Sequence, residues 1–164
     1  MRGRPTQYRS WEGPADYIYH RNSTHMTIRT LIADDHTIVL EGLKQVLSND
    51  ASISVVGTAE NGEEVIHFLR FHEVDIVVLG INMPVMDGIT CAREIKKTFP
   101  QVQIVILTMY PQKSFVKEIL SIGIDGCMLK NNTGKELNEA IHRVYNGKQY
   151  FDRLHTFNSQ EEEV

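Results

Sequence analysis

Five short apolar runs, rich in β-branched residues, alternate along this chain with five longer stretches whose apolar residues recur at helical spacing. That alternation constrains the fold more than any other feature. The runs are Leu31–Ala33, Ile53–Thr58, Ile76–Leu79, Ile104–Thr108 and Gly126–Leu129. Most are continuously apolar, the mark of strands covered on both faces and hence of a parallel sheet. Between them, Val39, Leu40, Leu43, Val46 and Leu47 fall on one helical stripe, as do Val65, Ile66 and Leu69, then Ala92, Ile95 and Phe99. Phe115, Val116, Ile119 and Leu120 form a fourth stripe, and Leu137, Ala140, Ile141 and Val144 a fifth. Right-handed crossovers place such helices on both faces of the sheet, which predicts a doubly wound α/β fold of about the minimum size. Gly62 and Gly88 precede helical stripes, while Asp50 and Gly57 fall in turns.

Composition narrows the class. A chain of 164 residues with 41% apolar residues suits one domain with an ordinary core. Its net charge of -4 gives no reason to expect this segment to grip nucleic acid or an anionic membrane, so proteins are the expected partners. Cys91 and Cys127 lack metal-ligand spacing and read as reduced thiols of a cytoplasmic protein. No run approaches the ~18 apolar residues needed to cross a bilayer, and the N-terminus lacks the apolar stretch of a secretory signal. Residues 1–25 mix Arg2, Arg4, Arg9 and Arg21 with Pro5, Pro14 and glycines and show no periodicity. They read as a tail or leader outside the fold, with Met26 the natural start; docking of Tyr8, Trp11, Tyr17 and Tyr19 on a surface is the alternative.

In folds of this type, ligands collect at the carboxyl ends of the strands, near the point where strand order reverses. The residues that follow the predicted strands are Asp34 and Asp35, then Gly80, Ile81 and Asn82, then Thr108, then Lys130. Taken singly, an acid pair is usually a solvated turn or helix cap, and a lysine a surface residue. Here two acids, a hydroxyl and a lysine occupy the same structural phase of separate strand–helix units, far apart in sequence.

With Met83-Pro84-Val85-Met86-Asp87-Gly88, this constellation resembles the receiver domain of bacterial response regulators, over Thr27 to Asp152. The resemblance implies a flavodoxin-like (βα)5 fold, a five-stranded parallel sheet in the order 2-1-3-4-5, with residues 26–152 as the domain. It further implies a regulatory role rather than an enzyme, with a sensor histidine kinase as partner. In the family, Mg²⁺ is held by acids after the first strand, an aspartate after the third and a backbone carbonyl two residues later. Carried over residue by residue, these are Asp34, Asp35 and the carbonyl of Asn82. Lys130 would pair with a phosphoryl group and Thr108 would hydrogen-bond it. An aromatic three positions before the lysine often turns in and out with the switch; here that position is Cys127, which also reads as a small packing residue.

The phosphoacceptor position is the decisive departure, because it holds Gly80. Glycine has no side-chain atom, so no acyl phosphate can form there. Asp34 and Asp35 belong to the metal shell, and Asp87 falls at a helix start beyond the pocket. With one carboxylate gone, Mg²⁺ binding is expected to be weak or absent, since that ion demands hard oxygen ligands in near-octahedral geometry. Glycine in a strand costs about 0.5–1 kcal/mol relative to alanine. Relief of repulsion between carboxylates about 4 Å apart works the other way, by a few kcal/mol at an effective dielectric near 20. The glycine form is therefore expected to be at least as stable as a metal-free Gly80→Asp form.

Ser159 followed by Glu162 has the form of a capping box, so residues 153–164 read as a linker and the opening of a truncated helix-turn-helix domain. A disordered acidic terminus is the plainer reading of that stretch. Asp34-Asp35-His36 and Gly126-Cys127-Met128-Leu129-Lys130 suit the NarL/FixJ (LuxR-type) branch. Three functions compete. One is a phosphorylation-incompetent receiver acting through protein contacts or a homodimer, reaching DNA only through a C-terminal domain. A second is an ordinary phospho-switched receiver altered at codon 80. A third is a flavodoxin-like small-molecule binder or enzyme, which Asp34 and Asp35 oppose because they would repel nucleotide phosphates.

Overall fold

The structure, a computed structural model, describes residues 26–109 and 113–151. Its elements run β1 (Ile28–Ala33), α1 (Thr37–Ser48), β2 (Ile53–Ala59), α2 (Gly62–Phe71), β3 (Ile76–Gly80), α3 (Gly88–Thr98), β4 (Gln103–Thr108), α4 (Lys113–Ile122), β5 (Gly126–Leu129) and α5 (Thr133–Tyr145), with a 3-10 turn at Lys130–Asn132 before α5. The five strands pair in the order β2-β1-β3-β4-β5, all parallel. This is the doubly wound receiver-type sheet that the sequence predicts. Among the described residues no helix is long and apolar enough to cross a membrane.

Continuous apolar character becomes burial on both faces. Every residue of β3 is buried, and its alternate side chains feed opposite cores. Val77 and Leu79 pack with Leu31, Ile104, Ile106 and Cys127 beneath α2, α3 and α4. Ile76 and Val78 pack with Ile32, Val105, Leu107 and Met128 beneath α1 and α5. Burying a Leu, Ile or Val side chain contributes about 1.5–3 kcal/mol, so these two layers dominate the favourable side of folding. Local signals fix the helix ends: the Asn61 side chain accepts from Glu64 N–H at 2.9 Å to start α2, and Asp87 accepts from Thr90 N–H at 2.8 Å to start α3.

Three expectations are corrected. Gly57, read as a turn residue, lies within β2 and pairs with Leu31. β1 begins at Ile28 and β4 at Gln103, earlier than their apolar runs, because Arg29, Thr30 and Gln103 pair in register despite being polar. Leu120 was expected on the buried stripe of α4 but is 47% exposed; Val116 and Ile119 carry that face. The stretch after α5 stays against the sheet: Gly147 turns the chain at φ 87°, Tyr150 N–H donates to Asp125 O at 3.2 Å, and Cys127 N–H donates to Tyr150 O at 2.8 Å. Tyr150 thus lies buried against the free edge of β5. The expectations for residues 1–25 and for Ser159 and Glu162 fall outside the described residues.

Candidate functional site

Strand order reverses at β1, whose neighbours are β2 on one side and β3 on the other. The crevice beyond the carboxyl ends of β1 and β3 is therefore where the fold collects ligands. Ala33 pairs with Leu79, so the residues that follow, Asp34 and Gly80, emerge level with each other. Gly80 is in turn level with Leu107, and Thr108 with Leu129, one residue before Lys130. Parallel register alone thus brings Asp34, Gly80, Thr108 and Lys130 to one edge of the sheet.

Asp34 is the centre of the site. Its side chain is 2% exposed and each of its oxygens is engaged. Oδ2 meets Lys130 Nζ at 2.7 Å, and Oδ1 accepts from the His36 backbone N–H at 2.9 Å. The His36 ring nitrogen Nδ1 lies 3.3 Å from Asp34 Oδ1 and 3.0 Å from Asp35 Oδ1. A buried carboxylate without partners would be heavily penalised, so these contacts are what allow Asp34 to sit here. Lys130, which follows β5, reaches it from across β3 and β4. A Cβ built on Gly80 would stand 3.0 Å from Asp34 Oδ2 and 3.3 Å from Ala33 O.

The loop from β3 to α3 frames the other wall. Met86 N–H donates to Pro84 O at 2.7 Å around Val85, which has φ 69°. This is a γ-turn of the rare positive-φ kind, and a β-branched residue there is strained. Two backbone bonds hold the loop: Gly88 N–H donates to Ile81 O, and Gly62 N–H to Met86 O, both at 2.8 Å. Gly88 packs so closely that a Cβ on it would lie 1.9 Å from the carbonyl oxygen of Gly80. Glycine at 88 is a requirement of space. Asp87, as expected, caps α3 outside the pocket.

The remaining predicted site residues are placed as follows. Thr108 is buried at the end of β4. Asn82 is exposed on the loop two residues after Gly80. Cys127 is fully buried in β5, level with Ile106 and packed under α4, where burial holds its thiol well above the ordinary range. Cys91 is likewise buried in α3, its thiol pushed up to about 12 by desolvation. Sequence reasoning used His36 only as a branch signature and missed its contacts to both acids; its position directly after the acid pair was the available signal. It also missed the backbone strain at Val85.

Asp34, Asp35 and His36 are a group whose ligand atoms lie within 4.8 Å of one another. Mg²⁺ asks for oxygen donors in a near-octahedral array at about 2.0–2.1 Å. As arranged, these residues do not make that cage. One oxygen of Asp34 carries an ammonium, the other carries an N–H, and position 80 supplies no carboxylate.

Comparison with known proteins adds the family context. Residues 30–142 match the family described as response regulator receiver domain. Among curated proteins, the chain is 32% identical over 127 residues to the response regulator protein VraR of Staphylococcus saprophyticus, covering 77% of this chain and 61% of that protein. It is 30% identical over 131 residues to the transcriptional regulatory protein DegU of Brevibacillus brevis, covering 80% of this chain and 56% of that protein. The chain therefore spans well under two thirds of the length of these relatives. Among solved structures, the non-phosphorylated receiver domain of the stress response regulator RcsB from Escherichia coli superposes with a TM-score of 0.74 at 30% identity, over 77% of this chain and 99% of that one. A LuxR-family two-component response regulator from Aurantimonas superposes with a TM-score of 0.79 at 27% identity, over 84% and 99%.

Proposed function

Because this chain belongs to the response regulator receiver domain family, we propose that it is a receiver that keeps the family's pocket but cannot be phosphorylated, and that it signals through protein contacts. The observation that carries this reading is Gly80 at the end of β3, where the pocket's nucleophile belongs, beside a carboxylate already neutralised by Lys130. Phosphoryl transfer to a receiver needs an oxygen positioned in line with phosphorus and cations around the transferring group. Position 80 offers no atom for the first requirement. Among the described residues the second is met by Lys130, and weak or absent Mg²⁺ binding goes with the same reading because position 80 supplies no carboxylate.

The proposed setting is the regulatory part of a cytoplasmic two-component transcription regulator of the NarL/FixJ (LuxR) type. Residues 26–152 form the receiver and residues 153–164 the linker. The partners are a sensor histidine kinase that docks without completing transfer, and a second copy of the chain. DNA is reached only through a helix-turn-helix domain beyond this chain. Thr108 and Lys130 keep the positions from which they would hold a phosphoryl group, and Cys127 takes the place of a switching ring. The test is incubation with acetyl phosphate and Mg²⁺, read by intact mass. No phosphoryl adduct on the chain is the expected result, and a stoichiometric one sinks the reading.

A second reading is favoured by one specific observation. Asp34, Thr108 and Lys130 remain buried or half-buried around the glycine, as though their partner were removed recently. On that reading the natural protein is phospho-switched and codon 80 is an alteration. Prompt Mg²⁺-dependent labelling of Gly80→Asp would favour it, and inertness of that variant would favour a long-abandoned site.

A further inference from the structure

The family's metal does not fit this pocket, and the misfit has a structural cause. We infer that Lys130 is the resident cation of the acid cluster: its ammonium does permanently what a divalent ion does reversibly in other receivers, so the buried acid Asp34 is paired and the pocket shaped without metal. This inference rests on the reading that position 80 contributes no chemistry.

Three observations carry it. Lys130 Nζ sits 2.7 Å from Asp34 Oδ2, the same oxygen that a Cβ at position 80 would approach to 3.0 Å. A carboxylate-bearing side chain at 80 would therefore bring a further acid beside that oxygen, and it and Asp34 would compete for one ammonium. With glycine there, Asp34 meets no such rival for the lysine. Next, both oxygens of the nearly inaccessible Asp34 are engaged from within the chain, by Lys130 and by the N–H of His36, while Asp35 is met by the His36 ring. Finally, Lys130 opens a 3-10 turn that leads directly into α5, with Thr133 Oγ1 donating to Lys130 O at 3.1 Å. The cation is fixed at its base as well as at its tip. A metal reaching Asp34 Oδ2 would have to displace a tethered ammonium whose local concentration does not fall on dilution, and one bridging the Oδ1 atoms of Asp34 and Asp35 would meet the His36 ring.

The consequence is a receiver whose conformation ignores Mg²⁺ while Lys130 is present and acquires a Mg²⁺ requirement when it is removed. Thermal unfolding of the chain in EDTA and in about 10 mM Mg²⁺ reads this directly. The chain as it stands is expected to shift by less than about 1 °C between the two conditions. Lys130→Met is expected to melt roughly 4–8 °C lower in EDTA and to regain at least half of that loss with Mg²⁺. The double variant Lys130→Met/Asp34→Asn, with one acid gone, is expected to fold and to ignore Mg²⁺. A Mg²⁺-dependent rise in the unaltered chain overturns the assignment. So does Lys130→Met that melts like the unaltered chain or gains nothing from Mg²⁺. If Lys130→Met does not fold in EDTA, the double variant decides: its failure to fold, or its stabilisation by Mg²⁺, overturns the inference. Labelling of the chain by acetyl phosphate sinks the underlying reading of position 80, whereas a Mg²⁺ response without labelling sinks only the role given to Lys130.

Discussion

The two ends of the sheet use aspartate in opposite ways. At the amino end, Asp75 precedes β3 and accepts from the Arg29 backbone N–H at 2.8 Å and from the Arg29 guanidinium at 2.9 and 3.1 Å. Asp125 precedes β5 and accepts from Ile104 N–H at 2.8 Å and from Lys96 at 2.9 Å. Each acid ties its own strand to the neighbouring one through a backbone N–H and also holds a cation, Arg29 of β1 for Asp75 and Lys96 of α3 for Asp125. At the carboxyl end, Asp34 meets the Lys130 ammonium and the His36 backbone N–H, Asp35 meets the His36 ring, and among the described residues neither carboxylate takes an N–H from a neighbouring strand. The amino-end acids are stitching. The carboxyl-end acids crowd together and depend on imported positive charge, the arrangement of a site rather than a seam.

That contrast can be broken experimentally, and the largest effect belongs to the carboxyl end's frame. Gly88→Ala must push the Gly80 carbonyl aside, so a loss of about 3 kcal/mol or more is expected in urea unfolding. Next comes a matched pair. Asp75→Asn should cost about 2 kcal/mol, because it weakens a bidentate Arg29 contact that is only partly exposed. Asp34→Asn should cost less than about 1 kcal/mol, since relief of acid–acid repulsion offsets the lost lysine contact. Equal losses in the two variants would erase the distinction between the ends. Gly80→Asp, measured without metal, should lower stability by about 1–2 kcal/mol and recover it with Mg²⁺, because a third acid enters a pocket with one lysine.

The smallest effect lies outside both ends, in a polar lock between the turn after α1 and α5. Asp50 accepts from the Ser52 hydroxyl and from His142 at 2.8 Å, and these bonds hold its carboxyl below the ordinary range, Ser52 contributing most. A depressed carboxylate gives stability that is present above its unfolded value of about 3.9 and is lost as pH falls through the folded value. The Tm difference between the chain and Asp50→Asn should therefore shrink as pH falls below about 4. A difference that persists at pH 2 would show that the lock is not ionic.

Most of the fold was legible because parallel strands buried on two faces leave continuous apolar runs that few other structures produce. Legibility failed where polar residues pair anyway, as Arg29 and Gln103 do, since register and not propensity sets strand ends. It failed again at Leu120, because adjacency on a stripe does not say how wide the buried arc is. At the site, strand phase was enough to gather Asp34, Gly80, Thr108 and Lys130. Phase does not reveal which oxygen a lysine holds, nor that Val85 takes a positive φ, nor that Gly88 stands against the Gly80 carbonyl. Those depend on loop geometry, in which a single residue's backbone angle redirects everything after it.

The return of Tyr150 to β5 bears on where such a chain can be trimmed. A sheet of five parallel strands has two open margins, and an unpaired strand edge is a template for association with other chains. Here the margin at β5 is sealed by backbone bonds to Tyr150 on both sides of the Gly126 bridge. A fragment cut at the end of α5 would keep all ten regular elements yet bare the N–H of Cys127, and sedimentation of that fragment should drift toward higher mass as its concentration rises. The folded unit therefore runs past the last helix, through Tyr150 on the edge of β5 and Phe151 against the core.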